Sequence, residues 1–224
     1  MDRVIYLAMA GAKATMQRQD VLAHNLANAS TNGFRAEMQA FRAVPVRGEG
    51  ASTRVYALES TIGHDTRSGP VQSTGRPLDV AVQGNAWLAV QSLDGTEAYT
   101  RAGSLQLSAE GQVVTPGGLP VLGDGGPITV GVNASVEIAA DGSISATTGK
   151  GRPQQVGKLK LVTSEAALIR GADGLFRAAD GDLPADATAR VQSGALEGSN
   201  VSAIETMVAM IAAARQFEIG RAHV

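Results

Sequence analysis

The sequence predicts an α+β fold, mainly β, in which long N- and C-terminal helices form a coiled-coil-like pair around an inserted antiparallel β domain. Two observations carry this. Apolar residues recur with heptad-like spacing at both ends of the chain, and Asp-Gly or Glu-Gly pairs punctuate short β-branched runs in the middle. The apolar fraction is 44% and the aromatic fraction 4%, so the core is expected to be built from Val, Leu, Ile and Ala.

At the N-terminus Ile5, Met9, Ala12, Met16, Gln19, Ala23 and Leu26 alternate at spacings of 4 and 3. That is a narrow a/d seam, and it predicts a helix from residue 2 to about 32. Asn28, Ser30, Thr31 and Asn32 compete for backbone hydrogen bonds and stop it. Gly33 is placed to supply the positive φ of a C-cap, and Phe34 to pack back on the last turn. At the other end Val201, Ile204, Val208, Ile211 and Arg215 are spaced 3, 4, 3, 4. Ser199 or Asn200 is the expected N-cap, with Glu205 in the early helix where the dipole favours a carboxylate. Each seam needs a partner, which is either the other helix or a neighbouring subunit.

Residues 34–76 have mixed polarity. Ala36 to Phe41 prolong the helix or begin an extended arm, and Gly48 to Thr53 read as a flexible loop. Val55–Leu58 and Thr61-Ile62 suggest short strands, and Gly69-Pro70 and Gly75-Arg76-Pro77 suggest turns. From Leu78 to about Phe176 the pattern is β. Leu78, Val80 and Val82 alternate with small or polar residues, as do Trp87, Ala89 and Gln91. Asp94-Gly95, Glu110-Gly111, Asp124-Gly125, Asp141-Gly142, Asp173-Gly174 and Asp180-Gly181 predict type I′ hairpin turns. The expected division is an N-terminal helix and arm over 1–76, an all-β domain over 77–176, and a return loop with the second helix over 177–224.

The 19 basic and 21 acidic residues leave a net charge of -2, without the basic excess that nucleic acid requires. There is no cysteine, hence no disulfide framework and no thiolate zinc site. His24, His64 and His223 stand in no metal-ligand spacing. His64-Asp65 lacks a nucleophile elbow, and Gly123-Asp124-Gly125-Gly126 lacks the lysine of a phosphate loop. Trp87 reads as a core anchor. No catalytic residue, metal or cofactor is therefore expected, and the chain is read as a non-enzyme. The longest apolar run, Met207 to Ala214, falls far short of the ~20 residues that span a bilayer. No Sec-type signal pattern opens the chain.

Several blocks resemble a known family. They are Asp2 to Ala12, Asn25-Leu26-Ala27-Asn28 with Thr31 and Gly33-Phe34-Arg35, and Phe41 to Val46. Leu78 to Gly84, Tyr99 to Gly103, and Gly194 to Val201 continue the match in order. Together they resemble the flagellar basal-body rod proteins, and most of all a proximal-rod member; Asn32 departs from the Pro or small turn residue expected there. The resemblance implies a structural subunit that polymerises through its terminal helices into a torque-transmitting shaft, with the β domain outside. It also implies export through the flagellar type III apparatus, a place in the periplasmic space, and rod proteins, including itself, as partners. The residues expected to carry assembly are the two seams with Asn25, Asn28, Gly33, Phe34, Leu196 and Asn200. The alternatives are a secreted β-domain carbohydrate-active enzyme and a soluble export adaptor. Past Glu218 the seam meets Ile219-Gly220-Arg221-Ala222-His223-Val224, which ends the apolar stripe and reads as a foreign or incomplete tail on a truncated helix.

Overall fold

Helix α1 spans Asp2–Ala27 and helix α2 spans Ala203–Ala222. The computed structural model describes residues 2–45, 55–132, 134–149 and 151–222; the expected loop over Gly48 to Thr53 and His223 lie outside them. The chain divides into two compact units. One comprises Met1–Ser30, Arg35–Arg67 and Asn200–Val224; the other comprises Thr31–Phe34 and Ser68–Ser199.

The first unit holds both helices and a long antiparallel ribbon, β1 (Glu37–Pro45) and β2 (Val55–His64). Helix α1 stops five residues before the expected end at 32, because the Asn28 side chain takes over the duty of the next turn: its Nδ2 donates to the His24 carbonyl at 2.9 Å. Ala36 to Phe41 do not prolong the helix. From Glu37 on they form β1, which pairs from Glu37 opposite His64 to Pro45 opposite Val55, with one register shift at Met38/Gln39. Helix α1 packs on α2 and on both strands of the ribbon. Helix α2 is capped by Ser202 rather than Ser199 or Asn200. The Ser202 Oγ accepts the Glu205 N–H, and Glu205 stands in the first turn as expected.

The second unit is β throughout. Its strands are β3 (Val71–Ser73), β4 (Val80–Val82), β5 (Ala86–Gln91), β6 (Glu97–Thr100), β7 (Gln106–Leu107), β8 (Val113–Val114), β9 (Leu122–Gly123) and β10 (Gly126–Pro127). Then follow β11 (Ser135–Ile138), β12 (Ser143–Thr147), β13 (Gln154–Lys158), β14 (Leu161–Thr163), β15 (Ile169–Arg170), β16 (Phe176–Arg177), β17 (Val191–Ser193) and β18 (Ala195–Glu197). A five-stranded sheet runs β14-β5-β6-β16-β15, and a three-stranded one runs β11-β12-β13. Strand β17 pairs with β4 and β18 with β3, so residues before 77 and after 176 also belong to this β unit.

Strand β5 explains the core. One polar face is expected from its alternation, yet Ala86 to Val90 are all buried. Leu88 and Val90 enter the main cluster with Val80, Leu105, Val113, Val121, Ile144, Leu159 and Leu161. Trp87 and Ala89 enter a second cluster with Tyr99, Val162, Leu168 and Phe176. The Trp87 and Phe176 rings lie 4.6 Å apart, so Trp87 is the core anchor expected of it. Strands β11 and β12 show the simple alternation instead, burying Val136, Ile138, Ile144 and Ala146.

Four of the six turns differ in type from the expectation. At Asp94-Gly95 the Gly95 N–H donates to the Ser92 carbonyl at 3.0 Å, and the Ser92 N–H donates to the Thr96 carbonyl at 2.9 Å. The same double pattern closes Ser108–Gln112, Ala139–Ser143 and Gly171–Leu175. This is a type I turn followed by a left-handed glycine in a bulge, not type I′. Only the glycines need positive φ, as at Gly95 (82°) and Gly142 (84°). The aspartates are there as acceptors: the Asp94, Asp141 and Asp173 carboxylates take the N–H two residues on.

Two outcomes follow from this packing. The Thr163 hydroxyl, then Thr188, hold the Asp186 carboxyl down at about 2. A depressed carboxyl stabilises the fold above its unfolded value near 3.8 and stops doing so as pH falls toward 2. Thermal melts between pH 5 and 2 (a range of about 3 units) should therefore show stability falling below about pH 4, and Asp186→Asn should flatten that slope. Hydrogen exchange on the monomer should show the slowest amides in β5 and much faster ones across α1 and α2. The described side chains that those helices bury are few, including Ala14, Asn25, Thr206 and Ala213.

Candidate assembly interface

The two seams do not bury their large side chains within the chain. On α1, Met9 is 63% and Met16 56% exposed, Ala23 is exposed, and Ala12, Gln19 and Leu26 are half-buried. The side chain of Ile5 lies outside the described residues. On α2, Ile204 is 75% and Val208 61% exposed; Ile211 and Arg215 are exposed as well, and Val201 is half-buried. What is covered is a different stripe. Thr206 and Ala213 are buried, and Ala203, Met210 and Phe217 are half-buried, at the same 3, 4, 3, 4 spacing. Helix α2 thus carries two heptad stripes: a covered one of mostly small residues and a wet one of larger β-branched ones. The covered stripe was legible in the spacing, but Thr206 and Ala213 carry too little hydrophobicity to stand out against Ile204 and Val208. Met207, exposed beside the outer stripe, was also missed as part of it.

Two asparagines organise the first unit. The Asn25 Oδ1 accepts the Glu37 N–H at 2.9 Å and its Nδ2 donates to the Glu37 carbonyl at 3.0 Å. One buried amide thereby pins the start of β1 to the last turn of α1. His24 Nδ1 lies 3.3 Å from the Glu37 carboxylate beside it. The Asn200 Oδ1 accepts the Ala36 N–H at 2.7 Å, and its Nδ2 donates to the carbonyls of Asp65 (3.0 Å) and Arg67 (2.9 Å). An amide suits both places because it offers donors and an acceptor in one plane, matching a peptide edge. Asn28 is the half-buried α1 cap already described.

In the second unit one of the remaining predicted residues, Gly33, bonds the main chain of a residue with a buried carboxylate, Glu197. The Gly33 N–H donates to the Glu197 carbonyl at 2.8 Å. The Glu197 Oε1 accepts the Gly69 N–H at 3.0 Å, and its Oε2 lies 3.3 Å from Arg101 Nη1. Arg101 also donates to the Val82 carbonyl at 2.7 Å and to that of Gly84. Its guanidinium stands 5.4 Å from the Trp87 ring centroid. Both Arg101 and Glu197 are 1% exposed. Gly33 has the positive φ expected, 70°, but α1 already ends at Ala27, so it is not the C-cap of that helix; any Cβ there would lie 2.3 Å from the Arg101 carbonyl carbon. The Phe34 ring centroid lies 4.4 Å from the Arg170 guanidinium. Leu196 is half-buried in β18, opposite Gln72. Sequence reasoning did not single out Arg101 and Glu197; the signal was a charged residue inside otherwise apolar, glycine-rich blocks.

Removing one partner of a buried ion pair strands the other charge. Glu197→Ala should therefore destabilise the chain by about 3–5 kcal/mol, whereas Asn25→Ala should cost about 1–3 kcal/mol. Chemical denaturation of the purified variants measures both, and a loss under about 1 kcal/mol for Glu197→Ala would remove the pair from its central role.

Among the described residues, no group of three His, Asp or Glu side chains is placed to hold a metal ion, and no helix is long and apolar enough to cross a membrane. The chain matches three family models: the flagella basal body rod protein model over residues 5–35, the flagellar hook protein FlgE/F/G D1 domain over 81–146, and the flagellar basal body rod FlgEFG protein C-terminal model over 192–220. It is 51% identical to the flagellar basal-body rod protein FlgF of Escherichia coli, over 98% of this chain and 91% of that one. To FlgF of Salmonella typhimurium it is 49% identical over 98% of this chain and 91% of that one. To the rod protein FlgG of Bacillus subtilis it is 32% identical over 97% of this chain and 92% of that one. The first and last models fall on the sequences around Asn25 and Asn200, and the middle one contains Arg101. With half its residues shared along nearly its whole length, the chain belongs to the flagellar basal-body rod protein family, among relatives of FlgF.

Proposed function

We propose that this chain is a structural subunit of the proximal flagellar rod that polymerises through the outer stripes of its two terminal helices. The observation that carries the reading is the exposure of large apolar side chains along both seams: Met9 and Met16 on α1, and Ile204, Met207, Val208 and Ile211 on α2. Burying one such side chain is worth about 1.5–3 kcal/mol, so a few of them across a subunit contact make a stable joint. Coiled-coil-like packing of these stripes between neighbours leaves each subunit with a free stripe for the next one. A contact of this heterologous kind that does not close on itself grows a helical shaft rather than a ring. The reaction of such a subunit is association alone. Torque passes as strain through packed elements, and no residue needs a chemical role.

On the same reading the terminal helices build the wall of the shaft. Export through the flagellar type III apparatus then delivers the chain to the periplasmic part of the basal body. Other rod proteins and further copies of this chain are its partners there.

The seam residues decide this. In cells lacking the chromosomal gene, Val208→Asp and Met16→Asp should abolish swimming and give basal bodies without a complete rod by electron microscopy. Each carboxylate would be desolvated unpaired at the joint. The purified variants should still melt at the parental temperature, since both side chains are exposed in the free chain. Normal rods from both variants would sink the reading.

A further inference from the structure

Six asparagines occur in the chain, and only Asn32 is followed by glycine. A glycine after asparagine leaves the backbone nitrogen unhindered, because no Cβ shields it. In a flexible chain that nitrogen loses its proton to solvent base and attacks the Asn32 side-chain carbon. The new C–N bond closes a succinimide ring, and the side-chain nitrogen leaves as ammonia. Water then opens the ring at either carbonyl, giving aspartate or isoaspartate.

We propose that Asn32 is a modification site whose deamidation is held off by folding, through the seating of Gly33 against Glu197 and Arg101. The nucleophile is the Gly33 nitrogen, and its N–H is already given to the Glu197 carbonyl at 2.8 Å. That carbonyl cannot drift away, since the Glu197 side chain is held by Gly69 N–H at 3.0 Å and Arg101 at 3.3 Å. Gly33 itself is buried and pressed against the Arg101-Ala102 backbone so closely that a Cβ would lie 2.3 to 2.5 Å from it. To reach the half-buried Asn32 side chain the Gly33 nitrogen would first have to give up its bond to the Glu197 carbonyl. Glycine at 33 cannot be exchanged to remove the hazard, because φ is 70° and the space for a side chain is absent.

The consequence is one-way. Isoaspartate inserts an extra carbon into the main chain directly before Gly33, which moves the Gly33 N–H off the Glu197 carbonyl. A chain that stays unfolded long enough therefore loses the contact on which its own folding depends. The site acts as a chemical timer that runs only outside the folded state, and it does so whether or not the assembly reading above holds.

The purified chain, aged at one pH and temperature in native buffer and in guanidinium, tests this. Trypsin releases Gln19 to Arg35 as one peptide, in which Asn25 and Asn28 serve as internal controls. The gain of about 1 Da at Asn32 should appear about tenfold or more slower in native buffer, because reaction there waits on local opening. Asn25 and Asn28 should lag far behind Asn32 in guanidinium. Chains aged in guanidinium and then refolded should leave the isoaspartate fraction behind in the misfolded pool, and Asn32→Gln should refold fully after the same ageing. Equal rates at Asn32 in the two solvents would overturn the protection. Isoaspartate chains that refold with parental yield and melting temperature, or Asn32→Gln losing refolding to the same extent on ageing, would overturn the consequence.

Discussion

The Glu197–Arg101 pair is the constraint on which the second unit depends. Two opposite charges, each 1% exposed, sit where water cannot solvate them. Such a pair is tolerable only when nearly every remaining donor and acceptor is used. The arrangement meets that demand with backbone groups from distant parts of the chain, Gly69, Val82 and Gly84, while the Gly33 N–H bonds the Glu197 main-chain carbonyl. A buried charge thereby specifies which segments meet. Hydrophobic burial alone is non-directional and would accept many arrangements of the same short strands. The glycines are the other half of this specificity, since backbone can approach a buried carboxylate or guanidinium closely only where side chains are absent.

The first unit uses neutral amides for a comparable task. Asn25 and Asn200 each read main-chain groups with the two ends of one side chain. Neither amide carries a net charge, so burying it is far less costly than burying an ion, provided both ends are bonded. The small covered residues of the helices hold them together, and their larger apolar residues stay on the outside. In an isolated globular protein that allocation is inverted, because a Val or Ile contributes more when buried than an Ala does. On the assembly proposed above it is the sensible one, since the stronger stripe would then serve the joint between molecules.

Much of this was legible in the sequence. The heptad spacing marked both helices, Asn and Gly residues marked the end of the first, and the alternation of Val136, Ile138, Ile144 and Ala146 marked strands. These signals are local, fixed by the chain's own periodicity and by the conformational limits of each residue type. The recurrent Asp-Gly pairs announced hairpins, though not their kind. Whether a turn has two or three loop residues depends on the register of the strands that it joins, and that register is set by packing.

Tertiary structure alone decided which face of each helix is wet. Spacing shows that a stripe exists, but two stripes share α2, and only its neighbours determine that Thr206 and Ala213 are covered while Ile204 and Val208 are exposed. It also decided the double burial of β5, because a strand with cores on both sides differs from a one-sided strand in what lies above and below it. Above all it decided the meeting of Gly33, Arg101 and Glu197. Nothing within a few residues of any of them signals the other two, since a charged side chain's partner is chosen by the path of the chain through space. Local chemistry determined the elements and their ends; long-range burial, which no window of sequence contains, determined which of their residues are covered and which stay exposed.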